Sequence, residues 1–589
     1  PTNKTEPKVT LAPTVTPTTT PDYDDDDDWD EPKPTPKPTR KPGEIETFYY
    51  DGDNLNDFKN YNEPYNVVVE DDIKKLSYGA LEDCTNMVSV TIPKSVKSIG
   101  NSVLAGCTNL SKITVDTDNP YYDSRDNCNA IVETESNTIV AGCKSTVFND
   151  SMTSVSKDAF SGTDIEEVIL PDSITSIGDY AFFGCNKLTK ISIPGNTEIG
   201  YSTFSGCKKL KDVELKEGTG FLGDCTFENC ESLEKINIPK TVKSIEIRAF
   251  AGSAIKSITI PKTVKKLGEL AFDGCEKLEN ITMPGNIGVI KVVYDDGNDY
   301  VPSPFIWNIG KSLKKVKFTT ALNLDILKRI GKTENFEVAA NDPRYKSVDG
   351  MIYSKDEKTL IRIPLGRKKV VIPESCTTVT AGSYGYAIGD DIYGVESTMS
   401  EIVFSKTVTK IISDGTSVDL GHYECKDIKI TLNMDYLDNE SIQQLWASNV
   451  CWEKSLKNEL MRKGLAKLNE ENERMLMLSG GYLCGYIMKE GSNIDDASTW
   501  EKIDGLVIPD NVKTIGSNAF AGYTICSMTL GSSVECIDTS AFGGDLSKAG
   551  LTDDNSKEYA VIYIKSNNIQ IKDNAFDLGS YGYVKLVNL

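Results

Sequence analysis

Histidine is almost missing: His422 is the only one in 589 residues. That count alone excludes histidine-rich metal sites and any catalysis that needs paired imidazoles. No run of about 18 apolar residues occurs, so no segment reads as a membrane span. Positive charge is in deficit, with 64 Lys and Arg against 87 Asp and Glu and a net charge of −23. Phosphate backbones require a basic footprint and anionic lipid attracts cations, so the balance argues against nucleic acid and against tight docking on such lipid. Also absent are G-x-S-x-G, H-E-x-x-H and paired C-x-x-C motifs. No signal peptide opens the chain, whose Pro-Thr-Asn start reads as a processed or truncated form. Acidic residues could supply a glycosidase pair, but such a pair must flank a cleft and the sequence marks none.

What is present is repetition. From Ile165 to Pro284 one phrase recurs about every 23 residues. It reads Leu188-Thr-Lys-Ile191-Ser-Ile193-Pro194, then Ile199-Gly200, Phe204 and Gly206-Cys207, and starts again at Leu210. Further copies run from Leu233 to Pro239 with Ala249-Phe250, and from Ile255 to Pro261 with Ala271-Phe272 and Gly274-Cys275. A unit this short cannot bury its own apolar face and needs a neighbour on each side, so the expected fold is a solenoid of stacked coils. The Leu-x-x-Ile-x-Ile start fits a short strand of a leucine-rich repeat, with Ile191 and Ile193 turned inward. Pro194, Pro239 and Pro261 should end strand pairing. Gly178, Gly200 and Gly268 should permit a tight turn at φ > 0. Phe182, Phe204 and Phe272 should fill the other half of the coil. The recurrent thiols Cys107, Cys185, Cys207 and Cys275 read as small buried hydrophobes, reduced although the chain has fifteen cysteines. Only Cys128 and Cys143 would face each other across a hairpin and so could be bridged.

The pattern Ile260-Pro261-x-x-Val264-x-x-Leu267-Gly268-x-x-Ala271-Phe272-x-Gly274-Cys275 resembles the BspA-like (treponemal type) leucine-rich repeat family of bacterial and protist surface proteins. The segments Asn119 to Cys143 and Asn341 to Tyr353 resemble interruptions of that family. The resemblance spans roughly residues 65–580 and is specific for fold. It implies an extracellular, cell-associated, adhesin-like protein with no catalytic residues to carry over.

The expected organisation is a Pro/Thr/Asp-rich stalk at 1–43, an N-terminal cap at 44–75 and a repeat array at 76–284 with a hairpin insertion at 116–146. Degenerate repeats with loop insertions follow at 285–437, a helical and hairpin insertion at 438–500, and C-terminal repeats and cap at 501–589. Helices are expected at Leu322 to Ile330 and from Ser441, where Ser441 and Gln444 form a capping-box signature, to about Glu473. The fingerprint Gly218-Thr-Gly-Phe-Leu-Gly223 matches G-x-G-x-x-G, but Leu222-Gly223 aligns with the Ile-Gly turn of its neighbours, and no cofactor is expected. His422 lies three residues before Cys425, where other coils carry phenylalanine, and reads as a packed structural side chain.

No catalytic, cofactor or metal residues are therefore assigned. Two surfaces are candidates for binding an extracellular protein or glycan. One is the outward strand face, including Lys190, Ser192, Lys235, Asn237, Thr259 and Asn280. The other is the pair of Tyr-, Asp- and Gly-rich insertions carrying Tyr294, Tyr300 and Trp307, and Tyr384, Tyr386 and Tyr393. Tyrosines offer larger anchors than Ser or Thr, which favours the insertions. The expected function is non-enzymatic adhesion by a monomer at the cell surface. Alternatives are a structural spacer and, less favoured, a carbohydrate-active enzyme.

Overall fold

The computed structural model describes residues 45–52, 55–290, 313–330, 332–364, 366–380, 399–412, 428–447, 453–487, 501–517, 519–520, 523–539, 541–542, 558–566, 568–576 and 582–589. It is a strand-rich repeat protein with few helices. Through the repeats the chain alternates between two series of parallel strands, laid coil upon coil. The first ladder runs Glu46–Tyr50, Tyr65–Val69, Met87–Ile92, Lys112–Val115 in one sheet and Glu167–Ile169, Lys190–Ile193, Asp212–Leu215 in the next. It continues as Ser257–Thr259, Asn280–Met283, Lys315–Phe318 and Asn335–Glu337. The second ladder is built from shorter rungs, such as Ser154–Val155, Ser176–Ile177 and Glu198–Ile199, then Phe221–Leu222, Ser244–Ile245 and Lys266–Gly268. Antiparallel pairs occur at hairpins, among them Ala130–Glu133 with Thr138–Gly142 and Met475–Leu478 with Tyr482–Tyr486.

Side-chain alternation sets the register. In Lys112–Val115 Lys112 and Thr114 face solvent while Ile113 and Val115 are buried. Each rung pairs with its counterpart one period on, as Ile191 does with Val213. One copy departs from the pattern. Residues 233–239, expected to form a strand, form none, so the first ladder stops at Asp212–Leu215 and resumes at Ser257–Thr259. Ile236, which should face inward, is only half-buried there.

Between the ladders the rings of Phe160, Phe182, Phe204, Phe227, Phe250 and Phe272 form a continuous stack. Successive centroids lie 4.9–5.8 Å apart with the planes within 13° of parallel. All six rings are fully buried. Burying each contributes roughly 1.5–3 kcal/mol.

The glycines work differently from the sequence expectation. Gly178, Gly200 and Gly268 are not left-handed. They are close-approach positions: a Cβ on Gly178 would lie 2.5 Å from the backbone nitrogen of Lys157, and one on Gly268 2.3 Å from the Glu246 carbonyl carbon. In the repeats the left-handed glycines include those just before the thiols, Gly106, Gly184, Gly206 and Gly274, with φ between 66° and 75°. A second left-handed position precedes each ring and is not glycine: Asp158, Tyr180, Ser202, Cys225, Arg248 and Leu270 hold φ of 50–58°.

The thirteen described cysteines are all free, Cys128 and Cys143 included. Those at the repeat position do more than fill space. The Sγ of Cys185, Cys207, Cys230 and Cys275 donates to the carbonyl of Phe160, Phe182, Phe204 and Phe250, each in the preceding coil, at 3.0–3.3 Å. Thr163 stands at the same position, but its hydroxyl donates within its own coil, to the Phe160 carbonyl at 2.9 Å.

The expected long helix is two, Asn439–Ala447 and Glu453–Arg462, followed by Gly464 at φ 69°. Its cap is not Ser441. Asp438 Oδ1 accepts from the Ser441 N–H at 2.7 Å, and the Ser441 hydroxyl is instead buried, accepting from the Ile411 N–H at 3.0 Å. Leu324–Arg329 is a 3-10 helix capped by Asn323. His422 lies outside the described residues.

Candidate functional site

Where the first ladder is interrupted, an open groove of ≈440 Å³ lies on its outer face. Lys190, Lys211 and Lys235 line it with Asp212, Glu214 and Asn237, over Ile191, Val213 and Ile236. Farther along this face several cations are paired across coils. Glu401 takes Lys369 at 2.8 Å and Lys429 at 3.3 Å, and these two lysines hold its carboxyl below the ordinary glutamate range. Glu337 is held down in the same way by Lys315 and Lys317. Lys256 pairs with Glu234 at 2.7 Å. In the groove, by contrast, none of the three lysines is in a salt bridge among the described residues. Lys190 sits opposite Asp212 in register without closing on it.

Of the strand-face residues singled out from sequence, Lys190, Lys235 and Asn237 come together in this groove. Ser192 does not serve it. It is buried and its hydroxyl donates to Glu214 Oε2 at 2.7 Å, so it fixes a carboxylate and is closed to a ligand. Thr259 and Asn280 lie farther along the ladder, Thr259 opposite Thr282 and Asn280 between Ser257 and Lys315. Tyr294, Tyr300 and Trp307 and Tyr384, Tyr386 and Tyr393 fall in 291–312 and 381–398, outside the described residues. Lys211 was not singled out, because it precedes its strand and carries no alternation signal. The Gly218 to Gly223 fingerprint contributes the two-residue strand Phe221–Leu222 and then a turn, without the helix a dinucleotide site requires.

Among the described residues no group of three or more His, Cys, Asp or Glu is placed to hold a metal. No helix there is long and apolar enough to cross a membrane.

The profile of the BspA type leucine rich repeat region matches in six copies, over residues 54–125, 141–219, 197–293 and 496–581, more than half of the chain. The chain belongs to the BspA-type leucine-rich repeat family. Solved structures similar to this BspA-type protein include a leucine-rich repeat protein of Bacteroides ovatus, 19% identical, covering 61% of this chain and 87% of its own, with a TM-score of 0.38. A leucine rich cell surface protein of Faecalibacterium prausnitzii is 16% identical over 88% of this chain and 90% of its own, with a TM-score of 0.22. The T. pallidum leucine rich repeat protein is 22% identical over 36% of this chain and 78% of its own, also at 0.22. No curated protein matches.

Proposed function

We propose that this BspA-type chain acts outside the cell, attached to its surface, as a non-enzymatic binder of another macromolecule. The observation that carries the reading is the groove at Lys190, Lys211 and Lys235, three cations brought together and in no salt bridge among the described residues, on a face where several other lysines are so paired. A packed repeat does not need such a place, and an open, positively lined groove on a strongly acidic protein suits a carboxylate- or sulfate-bearing protein or glycan. The insertions with Tyr294, Tyr300 and Trp307 and with Tyr384, Tyr386 and Tyr393 are proposed to add ring anchors to the same role. The test is to screen the full chain against matrix proteins and glycan arrays. The triple variant Lys190→Gln, Lys211→Gln, Lys235→Gln and a variant with both insertions shortened follow on whichever ligand is returned. Loss of binding in the lysine variant, with an unchanged melting temperature, supports the groove. Retention there with loss in the shortened variant moves recognition to the insertions, and a screen that returns no ligand favours a spacer.

A further inference from the structure

The outer face of the second ladder carries its own groove, on a different side of the coil from the lysines. It has a volume of ≈710 Å³ and spans the point where the ladder stops at Glu198–Ile199 and restarts at Phe221–Leu222. Its first unusual property is exposed aromatic surface. Phe221 is 40% and Tyr201 36% exposed, both lining the groove. Tyr201 packs edge-on against Tyr180 at 4.4 Å, and Tyr180 in turn meets Phe183, itself 42% exposed, at 5.6 Å. The rings of the phenylalanine stack are fully buried, whereas Tyr201 and Phe221 stand on a surface that nothing among the described residues covers.

The second property is charge. Asp179, Glu198, Asp224 and Glu246 line the same groove, against the single cation Lys157. None of the four carboxylates is in a salt bridge among the described residues. Two of them are held in place: Asp179 Oδ1 accepts from the Tyr201 N–H and Asp224 Oδ1 from the Ile247 N–H, both at 2.9 Å, each from the following coil. The second carboxylate oxygen of each is not used in these backbone contacts, and its place is fixed by them. The carboxyls of Asp224 and Glu246 are both pushed up by burial, and the charge of Asp224 raises Glu246 further. A cation entering between them would relieve that penalty.

A third observation shows how a cation is received here. Lys157 Nζ already lies over the Tyr180 ring, 5.6 Å from its centroid, at the rim of the groove. The site thus holds one of the protein's own lysines against an aromatic face, the geometry in which ammonium and guanidinium groups are attracted to rings.

We infer that this groove is a docking site for an extended, lysine- or arginine-rich segment of a partner protein, its side chains received by the rings of Tyr201 and Phe221 and by Asp179, Glu198, Asp224 and Glu246. A neutral saccharide would use the rings but leave four carboxylates without a counter-charge, and an acidic segment would be repelled. The site is independent of the lysine groove and stands whether or not that face binds.

The experiment uses the full chain and a short synthetic peptide of alternating Lys and Thr, with a Glu/Thr peptide and a neutral cello-oligosaccharide as comparisons, at about 0.15 M salt to screen the general field of the acidic protein. Saturable binding of the Lys peptide is expected. The pair Asp224→Asn, Glu246→Gln should weaken it about tenfold, as two partly buried ionic contacts would. Phe221→Ser should weaken it several-fold while leaving the melting temperature close to that of the parent. The pair Asp150→Asn, Glu217→Gln makes the same change in net charge at exposed positions off the groove and should change affinity by less than about twofold. Equal losses from the two pairs would reduce the effect to net charge and overturn the inference. Preference for the oligosaccharide, or no binding of the Lys peptide, would overturn it as well.

Discussion

Cys207 tests whether the repeat thiols are space-fillers or hydrogen-bond donors. Its side chain is fully buried and its Sγ lies 3.1 Å from the Phe182 carbonyl oxygen. That carbonyl also accepts from the Cys185 N–H at 3.3 Å, so losing the thiol removes one of two partners and does not orphan the group. If the thiol only fills volume, Cys207→Val should be neutral or stabilising, because it exchanges a small apolar side chain for a slightly larger one. If it is a donor, valine forfeits the bond and should cost about 1 kcal/mol. Cys207→Ala forfeits bond and volume together and should cost about 2 kcal/mol. Cys207→Thr keeps the volume and a hydroxyl donor, but Thr163 spends its own hydroxyl on the ring carbonyl of its own coil, so threonine should fall between valine and the parent. Urea unfolding gives the order, and amide exchange in residues 178–210 localises it, because in a repeat array a local loss need not appear as one global transition. The reasoning is refuted if valine proves more stable than both threonine and the parent.

Gly178→Ala should destabilise by more than about 3 kcal/mol although its φ is ordinary, since the new methyl meets the Lys157 backbone. Gly184→Ala should cost only about 1 kcal/mol, because its φ of 67° is strained for alanine but a Cβ there has open space; thermal melts of the two variants give the comparison. Asp224→Asn should raise the melting temperature at pH 7. The folded-state pKa lies above the unfolded one, so the ionisation penalty is absent below the unfolded value and develops as pH rises through the folded value, and the variant's advantage should vanish by about pH 3. Iodoacetamide should label Cys107, Cys185, Cys207 and Cys275 only after denaturation, since all four are fully buried and burial pushes the Cys275 thiol up to about 11; rapid labelling of the native protein would contradict this.

The strands were legible because alternation and period leave little freedom. The sequence Lys190 to Ile193 could place Ile191 and Ile193 inside only by lying where it does. The lapse of pairing at 233–239 was not, since Ile236 and Ile238 keep the apolar spacing and only the mutual placement of neighbouring coils withholds the bonds. The glycines misled for a related reason. Glycine is demanded both by a left-handed φ and by a close neighbour, and sequence alone does not separate the two at Gly178. Ser441 matched a capping box, yet Asp438, three residues upstream, was the better placed acceptor, and the spacing rule takes no account of a tertiary donor such as Ile411. Of the strand-face residues, Lys190, Lys235 and Asn237 were found by counting outward positions. The aromatic groove was missed because Tyr201 and Phe221 flank the Ile-Gly and Leu-Gly turns and looked like part of the packing phrase. Their signal was that large rings stand where other coils place Asn101 or Ser244.

The buried ring recurs in each coil from Phe160 to Phe272, and the thiol and close-approach glycine in most of them, with nearly the same contacts to the coil before, 3.0–3.3 Å for the thiol and 4.9–5.8 Å between rings. A coil therefore finds on either side a neighbour it can accept in place of the present one. Unequal crossover between two copies of the repeated phrase would delete or duplicate a whole period and leave rings, thiols and ladder rungs still matched across the new junction. The array can accordingly change length in a single genetic event, and with it the distance between its two ends, without a compensating change anywhere in the core.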